Sequence, residues 1–389
     1  MRDWTEHRIK EAVDIISEKS TDYSLPYIAL DNIISWDARF IPSDSTSDGN
    51  SNICKKGDVL FGKLRPYLAK GYIPQEDSMC SPEFIVMRPK SFVNNKFLLY
   101  YLLSRQFIDY IRNQVAGVKM PRTNSTQVGA TIMYLPPLAE QDAIAAYLDK
   151  ECEKIGREIE LLERKADGYR RLRRSIISRA VTLRKPYFCE YRLKDIFEIR
   201  NGYTPSKAAP EFWEGGTIPW FRMEDIRKNG RILSDSIQHI TPIAVKSAGL
   251  FEANSFILAT TATIGEHALL IADSQANQQF TNLKIRKSRS DNIDLKWMFY
   301  KFFDIDEYCK RGCRITTFAA VDMVELNNMP ILLPPIDEQR EIVAILDEKC
   351  GKIDTIITKV ETKVERLKQL KRSLINEVVT GQRAINTSE

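Results

Sequence analysis

The chain has few of the residues that most chemistry needs. Histidine occurs three times in 389 residues, as His7, His239 and His267, so no local motif builds a histidine metal site or proton relay. The seven cysteines are odd in number and scattered, unlike a small disulfide scaffold. Cys309 and Cys313 are the nearest pair, and no further cysteine or histidine completes a zinc tetrad around them. The opening MRDWTEHRIK has no apolar signal-peptide core, and no apolar run reaches the roughly 18 residues of a membrane span. A soluble chain in a reducing, cytoplasmic setting, with no membrane and no metal, is therefore expected. Gly57-Asp58-Val59-Leu60-Phe61-Gly62-Lys63-Leu64 nearly spells a phosphate-binding loop. Leu64 stands where a Ser or Thr would hold Mg²⁺, however, and the apolar filling reads as a strand. No catalytic residue is expected.

What is present is a chain built twice. The 48 residues from Leu135 to Thr182 return from Leu333 to Thr380 at a constant offset of 198, without a gap, and 21 positions are identical. They include Pro136/Pro334, Glu140/Glu338, Gln141/Gln339, Asp149/Asp347, Cys152/Cys350, Arg174/Arg372 and Thr182/Thr380. A repeat of this kind settles the organisation before any finer reading. The flanking stretches echo each other loosely. Glu6–Glu11 matches Glu190–Asp195 at an offset of 184, Leu25-Pro26-Tyr27 matches Ile218-Pro219-Trp220 at 193, and Lys96–Tyr100 matches Lys296–Tyr300 at 200. Drifting offsets mean insertions and deletions, so two variable modules alternate with two constant ones. The segments read as 1–134, 135–185, 186–332 and 333–389.

The constant segments read as long helices. Pro137 and Pro335 suit a first turn, and Glu140 and Glu338 place negative charge at the positive end of the helix dipole. Apolar positions follow 4-3-4-3 spacing through Leu148, Cys152, Ile155, Ile159, Leu162, Ala166, Tyr169, Ile176 and Ala180. The seam slips at Arg173, where Leu172 must stand in. The second copy runs Leu346, Cys350, Ile353, Ile357, Val360, Val364, Leu367, Leu374 and Val378. About 45 residues make a helix of roughly 65–70 Å, too long to bury a seam against itself. The partner expected is the other copy, packed antiparallel about an internal pseudo-twofold. The basic run Arg170-Arg171-Leu172-Arg173-Arg174 fits either a solvated helix end or a surface that tracks phosphates.

The variable modules mix short β-type runs with turns and end in an apolar helix, which makes the class α+β. Their loops carry a polar vocabulary. The first module offers Lys63, Arg65, Tyr67, Lys119, Arg122 and Asn124; the second offers Asn201, Tyr203, Thr204, Thr261, Thr263, Asn277, Gln278, Arg314, Thr316 and Thr317. Asn and Gln can read adenine, Arg and Lys guanine, and Thr a phosphate or a thymine methyl, so these are the candidate DNA contacts.

LPPLAEQ and LPPIDEQ, opening helices that close in RRSIISRAVT and KRSLINEVVT, resemble the specificity (S) subunits of type I restriction–modification enzymes. RLKDIFEIRNGYTPSK and NQQF in the second module add to the likeness, which covers essentially the whole chain. The resemblance implies two target-recognition domains, each reading one half of a bipartite, asymmetric double-stranded DNA sequence. It implies that the helices act as a ruler for the gap between the halves. It also implies a non-catalytic subunit that docks two adenine-methyltransferase (M) subunits and joins restriction (R) subunits. Adenosylmethionine, ATP and Mg²⁺ would sit on those partners, and no cofactor on this chain. Glu140, Gln141, Glu338 and Gln339 are the candidate contacts to the M subunits. A self-contained adenine methyltransferase would carry an Asn/Asp-Pro-Pro-aromatic loop; here each Pro-Pro follows leucine and precedes Leu138 or Ile336. The alternative is a duplicated coiled-coil adaptor whose modules bind protein. Strong salt-dependent duplex binding separates the two.

Overall fold

The computed structural model describes residues 4–385 apart from 21, 23, 48, 116–119 and 312–319. Two compact units emerge, one formed by Met1–Arg164 with Val360–Glu389 and the other by Lys165–Lys359. The long helices Leu138–Val181 and Ile336–Val379, 44 residues each, contribute one part to each unit.

In the first unit the continuous apolar run Val59–Gly62 is buried throughout, as a strand covered on both faces must be. It lies between Phe84–Pro89 and Gly71–Tyr72 in a four-stranded sheet that Val13–Ile16 completes. A second four-stranded sheet holds Lys19–Ser20, Ser51–Cys54, Ser78–Cys80 and Tyr27–Ile28 in that order. The second unit repeats the plan. Ser255–Ala259, again wholly buried, sits between Phe280–Ile285 and His267–Leu270 in a five-stranded sheet. A three-stranded sheet, His239–Ile240, Ile218–Phe221 and Gln275–Ala276, accompanies it. In both units the strand that leads into a long helix pairs antiparallel with the strand that opens the module. Thr5–Arg8 thus pairs with Ile132–Leu135, and Cys189–Arg192 with Pro330–Leu333. No helix among the described residues is long and apolar enough to cross a membrane.

The start of each long helix is held by the same buried amide. Gln141 accepts from the Asn94 N–H at 2.9 Å and donates to the carbonyls of Phe92 and Pro136 at 3.0 and 2.9 Å. Gln339 accepts from Asp294 N–H at 2.8 Å and donates to Asn292 and Pro334 at 2.9 and 2.8 Å. Eight residues further on, Asp149 takes the Tyr100 hydroxyl and Lys96, and Asp347 takes Tyr300 and Lys296. The short helices Asn95–Leu102 and Leu295–Arg311 are thereby stitched to the long ones at two heights. The repeated glutamines and aspartates serve this junction.

Within the second unit the helix pair is antiparallel. Arg173 meets Asp354, Ile177 and Val181 share a core with Cys350 and Leu346, and Lys185 reaches Glu338. Lys301 Nζ closes the first long helix by donating to the Val181 carbonyl at 3.2 Å. The expected seam holds for Leu148, Cys152, Ile155, Ile159 and Ala166, all buried. Beyond Arg173 it shifts by one residue: Ile177 and Val181 are buried in place of Ile176 and Ala180, and Leu172 is exposed. Arg173 itself occupies the slip, with its guanidinium 5.6 Å from the Phe303 ring centroid, because an arginine stem can cover apolar surface while its head stays paired.

Gln141→Leu and Gln339→Leu should each destabilise the unit concerned by about 2–4 kcal/mol, since three backbone groups around a buried side chain lose their partner. Urea unfolding of each variant checks this, and an unchanged midpoint would remove the amide from the set of contacts the fold needs.

Candidate nucleic-acid interface

In the second unit three loops converge at one end of the five-stranded sheet. Gly202 lies so close to the strand connection at 276–277 that a Cβ would collide with the carbonyls of Ala276 and Asn277. Only glycine allows that approach. The flanking backbone is then locked, Gly202 N–H donating to Phe280 and Tyr203 N–H to Ala276, each at 2.8 Å. Asn201 accepts from the Thr281 hydroxyl at 3.1 Å, and the Thr204 hydroxyl bonds the exposed Gln278. Thr260 N–H donates to the Gln279 carbonyl at 2.9 Å and so joins the third loop, in which Thr261 is half-buried and Thr263 exposed. Asn277 turns partly inward to Gln279, accepting from its N–H at 3.1 Å. Tyr203 is a structural residue rather than a free reader: its hydroxyl donates to Ala244 and accepts from Lys246 N–H. Arg314, Thr316 and Thr317 lie outside the described residues.

The first unit repeats the backbone and changes the chemistry. Thr123 N–H donates to the Lys63 carbonyl at 3.0 Å as Val321 does to Thr260 at 2.9 Å. Lys63 N–H donates to Glu83 at 2.7 Å as Thr260 does to Gln279. A bridge joins Leu64 to Arg122 as one joins Thr261 to Ala320. The next residue is left-handed in both, Arg65 at φ 49° and Ala262 at φ 62°, a backbone state uncommon away from glycine. Arg65 and Tyr67 are exposed on this loop. Lys63 is turned under it, donating to the Pro82 carbonyl at 2.7 Å, and burial lowers its pKa. Arg122 is neutralised by Glu83. Asn124 caps the helix Ser125–Ala130, accepting from Gln127 N–H at 2.8 Å. Lys119 lies outside the described residues.

At the helix starts, Gln141 and Gln339 are 1% and 0% exposed and their amides are consumed internally, so neither reaches a partner chain. Glu140 accepts from Trp4 Nε1 at 3.3 Å, and Glu338 pairs with Lys185 and the Tyr187 hydroxyl. The pairing of Arg122 with Glu83 carried no sequence signal, because the two stand 39 residues apart.

A buried charged cluster props the 260–266 loop from below. Gly265, at φ 86°, presses on Asp306, where any Cβ would clash. Asp306 is buried and paired with Lys310 at 2.6 Å; burial raises its carboxyl pKa, and Lys310 opposes that. His267 is wholly buried and receives the Arg231 guanidinium on Nδ1 at 3.1 Å. Arg231 is held in turn by Glu266 at 2.5 Å and by the face of Phe303. Burial first, and then the positive charge of Arg231, push the histidine pKa well below its ordinary value.

Comparison with known proteins gives a consistent answer. The family model described as "Type I restriction modification DNA specificity domain" matches residues 1–164 and again 188–366. The chain is 47% identical over 163 residues to the EcoprrI type I restriction enzyme specificity subunit of Escherichia coli, covering 40% of this chain and 41% of that one. It is 31% identical over 189 residues to the EcoR124I/EcoR124II specificity subunit of Escherichia coli, covering 46% and 44%. The match thus spans less than half the length of these two relatives. Among solved structures, a chain from work on complex assembly and conformational transition of the type I R-M system superposes with a TM-score of 0.73. That superposition is at 21% identity and covers 98% of both chains; it establishes the fold.

The buried histidine has a pH consequence. Its depressed pKa means the unfolded chain takes up a proton the native unit refuses. The contribution of His267 is therefore complete above the unfolded value of about 6.5 and is lost as pH falls below it. Asp306, with a raised pKa, acts in the opposite sense, its contribution lost as pH rises through the folded value. Thermal scans from pH 7.5 to 5.5 should show the second unit losing stability, at about 2–4 °C per kcal/mol. His267→Phe should flatten that slope, and an unaltered slope would assign it to other groups.

Proposed function

We propose that this chain, which belongs to the type I restriction modification DNA specificity family, is a DNA-recognition subunit with no chemistry of its own. Each unit reads one half of a bipartite, asymmetric target. One observation carries this reading: the same loop scaffold is built twice and carries different side chains. Arg65 and Tyr67 face out of one copy; Thr263 and Gln278 face out of the other, with the half-buried Thr204 bonded to Gln278. An arginine suits a guanine edge and a glutamine an adenine edge, so the two halves of the target differ. Arg122, Asn201 and Asn277 stand beside these readers, each already partnered, and contribute once DNA competes for those bonds, with the half-buried Thr261 next to them.

The antiparallel helices are the ruler between half-sites. Their 44-residue length corresponds to about 66 Å at 1.5 Å per residue, more than the 34–36 Å of one DNA turn. Adenine methylation in a duplex requires base flipping, which two methyltransferase subunits perform. They hold adenosylmethionine, and restriction subunits bring ATP and Mg²⁺ chemistry. Glu140 and Glu338, half-buried at the helix starts, remain the docking candidates, their glutamine neighbours being consumed by the fold. The complex works in the cytoplasm, where the host DNA is.

Methylome sequencing of a naive host that carries this chain with its methyltransferase subunit tests the reading. One bipartite motif with methyladenine on both strands is expected. Arg65→Ala should relax or lose one half of the motif, and Gln278→Ala the other, each by about 5- to 150-fold in rate, from 1–3 kcal/mol per base contact. Simultaneous loss of both halves in either variant would defeat modular reading, and a stable complex that methylates nothing would favour the protein-binding adaptor.

A further inference from the structure

The two units differ at one cation of the long helices. Arg173 and Lys371 are equivalent positions of the repeated helices, at the offset of 198. Arg173 finds its acid on the other long helix, Asp354, at 2.9 Å. The counterpart of Asp354 in the first copy is Gly156, where a Cβ would meet nothing within 4 Å. Lys371 cannot be neutralised in the same way, and it is paired instead with Asp37, from a loop of the recognition module. Both side chains are nearly buried, at 10% and 15% exposure, so the pair cannot be exchanged for water without penalty. Burial alone would raise the Asp37 carboxyl, but Lys371 and Arg39 hold it below its ordinary range.

The rest of that loop does the same kind of work. Arg39 donates to Asp37 at 2.6 Å and pairs with Glu160 of the first long helix. Arg372 of the second long helix lies 4.6 Å from the centroid of the Trp36 ring. Trp36 N–H donates to the carbonyl of Ala69, which closes the loop carrying Arg65 and Tyr67. Residues 34–40 therefore touch both long helices and the reading loop at once. The shape requires two non-glycine residues in the left-handed region, Trp36 at φ 64° and Ala38 at φ 57°, a strain that persists only where surrounding contacts over-determine it. In the second unit the matching segment, Asn229-Gly230-Arg231-Ile232, has neither the acid nor the aromatic. It runs instead into the strand Ile232–Leu233 beside His267–Leu270, with Arg231 held by Glu266 and His267.

We propose that residues 34–40 form a positioning strap that ties the first reading loop to both helices and so makes the complex selective for a single gap length. The inference rests on the DNA-reading function proposed above. Adding or removing one base pair of gap displaces a half-site by about 3.4 Å and turns it by about 35°. A reading loop bonded to the helix pair cannot follow that turn; one released from it can. Asp37 and Trp36 act through the loop they hold and touch no base.

The test uses this chain in complex with its methyltransferase subunits and duplexes carrying the wild-type half-sites at gaps from two base pairs shorter to two longer. Wild type should methylate one gap at least tenfold faster than its neighbours. Asp37→Asn, which keeps the shape and removes the charge, should raise the relative rate at neighbouring gaps about tenfold, with base preferences in both half-sites unchanged. Where Asp37→Asn does not yield folded complex, Trp36→Ala provides the same readout. The pair Asp37→Leu/Lys371→Met, which refills the contact without charge, should restore the narrow profile. A folded Asp37→Asn or Trp36→Ala complex with the wild-type gap profile would overturn the strap while leaving DNA reading intact. A wild-type complex that methylates no bipartite site at any gap would overturn both.

Discussion

A buried glutamine amide at the head of each long helix is the contact on which the arrangement of each unit depends. Gln141 and Gln339, themselves buried, satisfy a loop N–H and two carbonyls, and they do so with the same geometry twice. That contact sets where the helix begins relative to the recognition module. From there, Asp149 and Asp347 set the angle of the short helix that packs on the long one. A residue that would suit a partner contact if exposed is thus spent on the protein's own junction. The burial of an amide without these partners would be costly, which accounts for the demand for glutamine at both heads.

Above the junction the two modules are variations on one backbone. A loop leaves a fully buried strand, takes a left-handed residue at Arg65 or Ala262, and is bonded across to a second loop at 121–123 or 320–321. Because main-chain bonds hold it, the loop can change its side chains without changing its path. Glu83 stands where the second module has Gln279, and Arg122 where it has Ala320. The first surface is charged and partly self-neutralised; the second is amide and hydroxyl. A common scaffold with separable chemistry is what a reader of two unlike half-sites requires.

The repeat is not perfect where the long helices carry a paired cation, half-buried as Arg173 and buried as Lys371. Arg173 is answered helix to helix, Lys371 by a loop. With Gly156 where the other copy has Asp354, Lys371 needs a carboxylate from elsewhere, because an unpaired buried charge is untenable. The replacement from Asp37 couples the first unit's long helices directly to a loop, where the second has the Phe303 ring lying between Arg173 and Arg231.

The sequence by itself determined the duplication, the length and amphipathic face of the helices as far as Ala166, the alternation of modules and the α+β class. These are properties of local periodicity and of comparison between the two copies. It also marked loops that converge at the candidate interface of each unit. Tertiary structure alone decided which polar side chains remain available. Lys63, Asn124, Tyr203, Gln141 and Gln339 look like contact residues in sequence and are consumed by neighbours in space. It also moved the seam from Ile176 and Ala180 to Ile177 and Val181, since a helix facing both a second long helix and a short one must turn past Arg173. The Asp37–Lys371 pair joins residues 334 positions apart. Helical periodicity needs only neighbours along the chain; a hydrogen bond or ion pair needs a partner that the fold must first deliver.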